Sequence, residues 1–198
     1  MEDLATAEPA RVSAVHRDGV DTLSPGGERR VATLPALPTS AVAVGDSLLL
    51  SRDTGATLRL VEPKSLISRR AAGTGATTQL IAANLDTLFV VSSCNADFNP
   101  ARLERYLALA RQARVTPVVA LTRADACADP DVYVDAAREV AGTAEVLALN
   151  ACDPAAVARL DTWCGTGETA ALVGMSGVGK STLTNALTGG SEATGPIR

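Results

Sequence analysis

Two rhythms of apolar and polar residues run along this chain, and one gives way to the other near residue 85. Before that point the apolar residues come in short alternating pieces bounded by turn residues. "RVSAVH" leads into Asp18-Gly19, a two-residue hairpin signal, and "GVDTL" follows. "SPGG" (Ser24 to Gly27) marks a second turn before "RRVATL", and Arg52 to Gly55 separates "GDSLLLS" from "TLRLV". Five short strands and no helix predict a small all-β unit. They are too few for an immunoglobulin-like sandwich, so the expectation is an OB-fold-like barrel over residues 1–84. "RRAAGTGATTQ", Arg69 to Gln79, has no period and reads as a linker or loop.

From Leu85 onward strands alternate with helices. "DTLFVVSS" is a continuous apolar run of the kind that is buried on both faces. "PARLERYLALARQAR" places Leu103, Tyr106, Leu107 and Ala110 on one helical stripe. "PVVALT" and "EVLAL" predict further buried strands. Asp129-Pro130 and Asp153-Pro154 each read as a helix N-cap followed by proline at the first helical position, opening helices that reach Val140 and Trp163. "TAALVG" predicts a fourth strand, and a fourth helix starts at Lys180. This order implies a parallel α/β sheet over residues 85–198, covered on both sides.

Composition narrows the chemistry. The chain is 46% hydrophobic but only 3% aromatic, so its cores must be aliphatic. No apolar run is long enough to span a bilayer, and the acidic start "MEDLATAEPARV" lacks a signal-peptide pattern. A cytoplasmic monomer away from membranes is expected. Cys94, Cys127, Cys152 and Cys164 are widely spaced, with His16 the single histidine, so free thiols rather than a metal site are expected, and no zinc site falls within the chain. His16 reads as a surface or packing residue. Net charge is −4, but residues 10–84 carry nine Arg and Lys against six Asp and Glu, whereas residues 85–198 carry nine against thirteen. A basic front half makes Arg11, Arg17, Arg29, Arg30, Arg52 and Arg59, with Arg69 and Arg70 near the junction, candidates for RNA contact. A merely solvated barrel face is the competing reading. The scarcity of aromatic residues points to phosphate contact rather than base stacking.

"GMSGVGKST", Gly174 to Thr182, fits the phosphate-binding loop pattern G-x-x-x-x-G-K-[ST] without a mismatch, between an apolar strand and a helix start. Gly174, Gly177 and Gly179 allow the backbone of Met175, Ser176 and Val178 to turn its N–H groups inward toward phosphate oxygens. The helix behind adds its positive end. Lys180 is the candidate catalytic cation for the outer phosphates, Ser181 the candidate Mg²⁺ ligand, and Thr182 completes the nucleotide-binding set.

The base should be read from strand ends beside this loop. "LTRADA" ends the second α/β strand and is similar to the [N/T]KxD guanine element of GTPases. A carboxylate at Asp125 can accept both N1–H and N2–H₂ of guanine, whereas adenine has no such donor pair. Discrimination of this kind reaches about 10⁴–10⁵-fold. Thr122, Arg123 and Ala124 complete the element. Arg123 stands where lysine is usual and can lie along the base through its planar guanidinium. Thr122 replaces the commoner asparagine, which predicts weaker hydrogen bonding between the loops. A strand-end aspartate alone is often a cap or turn residue. "ALNA" closes the next strand, and its Asn150-Ala151 stands where GTPases carry a Ser-Ala element at guanine O6; a plain strand-to-helix turn fits these residues equally.

The order is guanine element, alanine-containing element, then phosphate loop, which is a circular permutation of the usual GTPase order. With a five-stranded barrel in front, the chain resembles the ribosome small-subunit-dependent GTPase A (RsgA) family. "VGDSLLL", "QLIAANLDTLFVVSSCNADFNPARLERYLALA", "PVVALTRADAC" and "VGMSGVGKSTLTNAL" carry the resemblance across most of the sequence. It implies an OB-fold-like barrel followed by a circularly permuted, incomplete P-loop GTPase domain. It also implies GTP or GDP with Mg²⁺ as ligands, and the small (30S) ribosomal subunit and its rRNA as partners in late subunit maturation. The family's switch region, DxPG element and zinc-binding domain follow the phosphate loop, so a family zinc site is expected only beyond Arg198. The expectation is a truncated chain that binds guanine nucleotide and hydrolyses it poorly, with the phosphate-loop strand left as a sheet edge. An ATP-using P-loop enzyme, or an RNA-binding module without nucleotide turnover, are the alternatives.

Overall fold

The structure, a computed structural model, describes residues 6–33, 37–70 and 78–190. Contacts divide the chain into two compact units, Met1–Leu85 and Asp86–Arg198.

The first unit contains β1 (Ala7–Val15), β2 (Val20–Ser24), β3 (Gly27–Val31), β4 (Ser47–Ser51) and β5 (Thr57–Val61). They form one antiparallel sheet in the order β3-β2-β1-β4-β5, the arrangement of an OB-like barrel. Alternate side chains, among them Ala10, Val12, Val20, Leu48 and Leu50, meet in its core. Among the described residues no ladder joins β3 to β5. The Thr57 hydroxyl instead donates to the Ala32 carbonyl across 2.7 Å, linking the two ends of the sheet.

Both ends of the segment expected to be a linker lie in paired strands. β6 (Leu66–Arg70) pairs with β7 (Thr78–Ala83), so Arg69, Arg70, Thr78 and Gln79 lie in strands. Residues 71–77 of that expected linker lie outside the described residues. The strands were hard to see because the Gly/Thr-rich run between them hides their alternation, and a bulge between Ile67 and Ser68 breaks its period.

The second unit holds β8 (Thr87–Ser93), β9 (Thr116–Thr122), β10 (Glu145–Ala148) and β11 (Ala170–Val173), all parallel, in the order β10-β9-β8-β11. Every residue of β8 is buried. Phe89 and Val91 face one apolar cluster, with Val157, Leu160 and Leu183. Val90 faces the other, with Leu103, Leu107 and Val134. Alternation of the strand between two dry faces is why its sequence reads as an unbroken apolar run. Burying each such side chain contributes about 1.5–3 kcal/mol. Among the described residues β11 pairs with β8 alone and forms one edge of the sheet.

Helix α1 (Pro100–Gln112) buries Leu103, Leu107 and Ala110, and the Asn99 side chain caps it by accepting from the Arg102 N–H. Helix α2 (Asp131–Ala141) corrects one expectation. Its N-cap is Pro130, in a helical conformation and without a side-chain cap, so Asp129 does not close the helix end. Asp153 does cap α3 (Pro154–Val157), accepting from Ala155 N–H at 2.9 Å. That helix lasts four residues and tightens into a 3₁₀ segment, Ala158–Trp163. Helix α4 runs from Lys180 to Thr188.

Candidate functional site

Parallel strands carry their connecting loops at the same end, so β8, β9, β10 and β11 deliver the loops that follow them to one rim of the sheet. The loop after β11 is Gly174–Gly179. Gly174 passes so close to β8 that a Cβ there would stand 2.2 Å from the Val91 carbonyl oxygen, so only glycine fits. Gly179 has φ +95° and faces Thr122, giving the turn by which the chain enters α4. Among the described residues no side chain caps α4, and the N–H groups of a first helical turn have no partners within the helix. The Ser181 hydroxyl is exposed and has no hydrogen-bond partner among the described residues. Met175, Ser176 and Gly177 are exposed along the loop, Val178 is buried beneath it, and Thr182 is half-buried in the helix.

The Lys180 ammonium folds back over this loop, donating to the carbonyls of Gly174 at 3.0 Å and Met175 at 2.6 Å. Partial burial lowers its pKa from the usual lysine value. Those carbonyls hold the ammonium at the mouth of the loop, where it can face an anion.

The β9 loop meets the phosphate loop directly. Thr122 is buried, and its hydroxyl lies 2.7 Å from the Val178 carbonyl and 3.1 Å from that of Ser92. Threonine at this position does hydrogen-bond between the loops, because its short side chain reaches the buried carbonyl of Val178. Arg123 adopts the left-handed conformation, φ +59°, which aims its side chain back toward the phosphate loop. Its guanidinium donates to the Gly177 carbonyl. Ala124 to Ala126 forms a single 3₁₀ turn, and the Asp125 carboxylate stands exposed with no partner among the described residues. The β10 loop lies alongside: Ala124 N–H reaches the Leu149 carbonyl at 3.4 Å, Asn150 Oδ1 accepts from Cys152 N–H at 2.8 Å, and Ala151 is buried. All three sequence elements thus come together at one rim. Hydrogen bonds link the first to each of the others.

One residue that positions the site gave no signal in the sequence. Asp86, just before β8, donates its backbone N–H to the Thr169 carbonyl at 2.9 Å, and its carboxylate accepts the Thr169 N–H at 2.8 Å. It clamps the start of β11, and so the strand carrying the phosphate loop, to β8.

The comparisons agree with this arrangement. Residues 60–198 match the family described as RsgA GTPase. The chain belongs to that family. The small ribosomal subunit biogenesis GTPase RsgA of Mesorhizobium japonicum is 46% identical over 194 residues, covering 96% of this chain and 56% of that protein. RsgA 2 of Vibrio vulnificus is 44% identical, covering 100% and 56% respectively. The chain therefore spans little more than half the length of these relatives. Among solved structures, YjeQ from Thermotoga maritima superimposes with a TM-score of 0.71 at 20% identity, covering 93% of this chain and 66% of that one. YloQ, a circularly permuted GTPase, superimposes with a TM-score of 0.67 at 19% identity, covering 96% and 67%. Both likenesses show the fold of the RsgA-family chain, with its permuted order of loops.

Elsewhere in the RsgA-family chain, four of the six barrel arginines are engaged within the first unit. Arg29 pairs with Glu8 and Arg30 with Asp21, while Arg52 and Arg11 donate to the Ala7 and Asn84 carbonyls. Arg17 and Arg59 are exposed, and their side chains have no partner among the described residues. His16 Nε2 lies 2.7 Å from Asp21, a packing role on the barrel surface. The four cysteines are free, and the described residues contain no group of three or more His, Cys, Asp or Glu that could hold a metal ion. Among the described residues no helix is long and apolar enough to cross a membrane.

Proposed function

We propose that this chain is the guanine-nucleotide-binding portion of a cytoplasmic GTPase that acts in maturation of the small ribosomal subunit. The observation carrying this reading is the unpartnered Asp125 carboxylate on a loop hydrogen-bonded to the phosphate loop through Thr122 and Arg123. One carboxylate held there accepts the paired N–H groups of guanine, while the Ala151 N–H, with Asn150 bracing its turn, meets O6. Residues Gly174–Thr182 cradle the phosphates, with Lys180 drawing charge from the outer ones. The free Ser181 hydroxyl at the start of α4 fits a Mg²⁺ ligand, and the ion would neutralise charge on the outer phosphates when bound.

The relatives' shared name supports the small ribosomal subunit as partner, and the basic barrel supports rRNA contact. Arg17 and Arg59 are the side chains free to make it, with Arg11, Arg29, Arg30 and Arg52 contributing through whatever donors their present partners leave. Affinity for small-subunit rRNA should then fall steeply as salt rises. The chain is monomeric in this reading. It holds nucleotide but turns it over slowly.

Titration with GDP, GTP and ATP tests the core of the proposal. Wild type should bind both guanine nucleotides in preference to ATP, and Asp125→Asn should abolish that preference. ATP binding as tight as GTP binding would overturn it. GTP hydrolysis clearly above that of a Lys180→Ala variant would overturn the claim of slow turnover.

A further inference from the structure

Helix α1 begins in a way that runs against its own electrostatics. The first turn of a helix favours acidic residues, because the N-terminal end carries partial positive charge. That turn in α1 has no acidic residue, and its third position is Arg102. Asn99 and Pro100 fix the backbone there, since the Asn99 side chain accepts the Arg102 N–H at 3.0 Å and Pro100 opens the helix. A residue held so firmly in an unfavourable electrostatic position points to a role outside the helix.

The side chain of Arg102 leads to the phosphate loop. Its guanidinium lies against the sulfur of Met175, and both residues line a narrow cleft with Asp97, Tyr106 and Val178. A thioether is a weak acceptor. Among the described residues Arg102 has no ion pair and no oxygen partner, so its donors are almost unspent. Arg123, the other arginine at this loop, is differently placed, spending a donor on the Gly177 carbonyl beside the Thr122–Asp125 loop. Met175 is also the residue whose carbonyl holds the Lys180 ammonium at 2.6 Å. Two cations therefore approach the loop at Met175, one at its carbonyl and one at its side chain, with no ion-paired carboxylate on either.

We infer that Arg102 is a specificity-determining residue that favours a nucleoside triphosphate over a diphosphate by contacting the terminal phosphate. This rests on the proposed reading of the phosphate loop, in which Lys180 marks the outer-phosphate end. A third phosphate extends the anion toward the end that Arg102 approaches. A diphosphate leaves the guanidinium where it is, against Met175. Swinging from a thioether to a phosphate oxygen exchanges a weak contact for charge-assisted hydrogen bonds.

Calorimetric titration of the whole chain with GDP and with the slowly hydrolysed analogue GTPγS tests this, using wild type, Arg102→Gln, Arg102→Lys and, as a control on the same helix, Arg105→Gln. Arg102→Gln should weaken GTPγS binding about tenfold, the effect of losing one hydrogen bond to a charged group, and leave GDP within about twofold. Arg102→Lys should fall between, and Arg105→Gln should match wild type. Equal weakening of both nucleotides, or of neither, would overturn the inference while leaving the phosphate-loop reading standing. Failure of wild type to bind either nucleotide would overturn both. Unchanged melting temperatures for Arg102→Gln would separate the effect from a folding defect.

Discussion

Thr122 is the most informative residue to change, because its hydroxyl joins the end of β9 to the buried floor of the phosphate loop. Thr122→Val keeps the shape and removes the proton now shared between the Val178 carbonyl at 2.7 Å and the Ser92 carbonyl at 3.1 Å. Val178 and Ser92 are 4% and 8% exposed, so water cannot easily replace that proton. A buried acceptor left unsatisfied costs about 1–3 kcal/mol. For a unit the size of Asp86–Arg198 this should lower the melting temperature by about 4 °C per kcal/mol, or about 4–12 °C in all. Thr122→Ser is the paired control. It keeps the hydroxyl and loses only the methyl that packs beside Gly179, a cost of about 1 kcal/mol. Thermal denaturation followed by the fluorescence of Trp163, which packs edge-on to Phe89 at 6.5 Å, reports on this unit directly. The valine variant should also bind GDP more weakly than the serine variant. A valine variant melting within about 1 °C of wild type, or a serine variant worse than valine, would refute the hydrogen-bond argument.

The two loop glycines should respond differently to alanine. A Cβ added at Gly177 would meet no described atom within 4 Å, so only the φ of +83° opposes a side chain, a cost of about 1–2 kcal/mol; at Gly174 the new Cβ strikes the Val91 carbonyl, costing about 3 kcal/mol or more by urea denaturation. In the barrel, the Arg30 guanidinium and then His16 hold the Asp21 carboxyl down at about 2. A depressed folded-state value means that the stabilisation is complete above the ordinary carboxylate range near 4 and is lost as pH falls from about 4 to about 2. Carboxyl NMR titration should show Arg30→Gln raising the Asp21 value more than His16→Ala does. Alkylation with iodoacetamide near neutral pH should reach exposed Cys152 before buried Cys94, whose thiol is pushed up to about 11 by burial and then by Cys127; peptide mass spectrometry gives the order.

What could be read from sequence divides along physical lines. The strands β1–β5 and β8–β11 were legible because periodicity records which faces are buried, and their turns carry Gly, Pro and Asp. The phosphate loop was legible because its backbone demands glycines at fixed spacing. By contrast, β6 and β7 border a Gly/Thr-rich run, and their pairing depends on contacts that no local pattern carries. Asp129 looked like a cap because Asp-Pro suits that role, but Pro130 itself supplies the cap backbone, and α2 opens on Asp131. The bond from Thr122 to Val178 has no local sign, since it depends on the separation of two loops distant in sequence. Asp86 and Arg102 were invisible for the same reason, since each acts on residues more than seventy positions away.

The permuted order has a consequence for how the nucleotide site comes into being. β8, β9 and β10 form contiguous parallel pairs covered on the Val90 face by α1 and α2, while the Phe89 face waits for Val157, Leu160 and Leu183. The loop bearing Asp125 can thus take shape on a nascent chain before Gly174 has been synthesised. At about 5–20 residues per second, roughly fifty intervening residues put several seconds between the two halves of the site. Only when β11 zips onto β8 does the phosphate cradle close against Thr122. If the proposed reading of the site holds, a free guanine nucleotide would act as a late folding ligand, trapping the final strand as it docks.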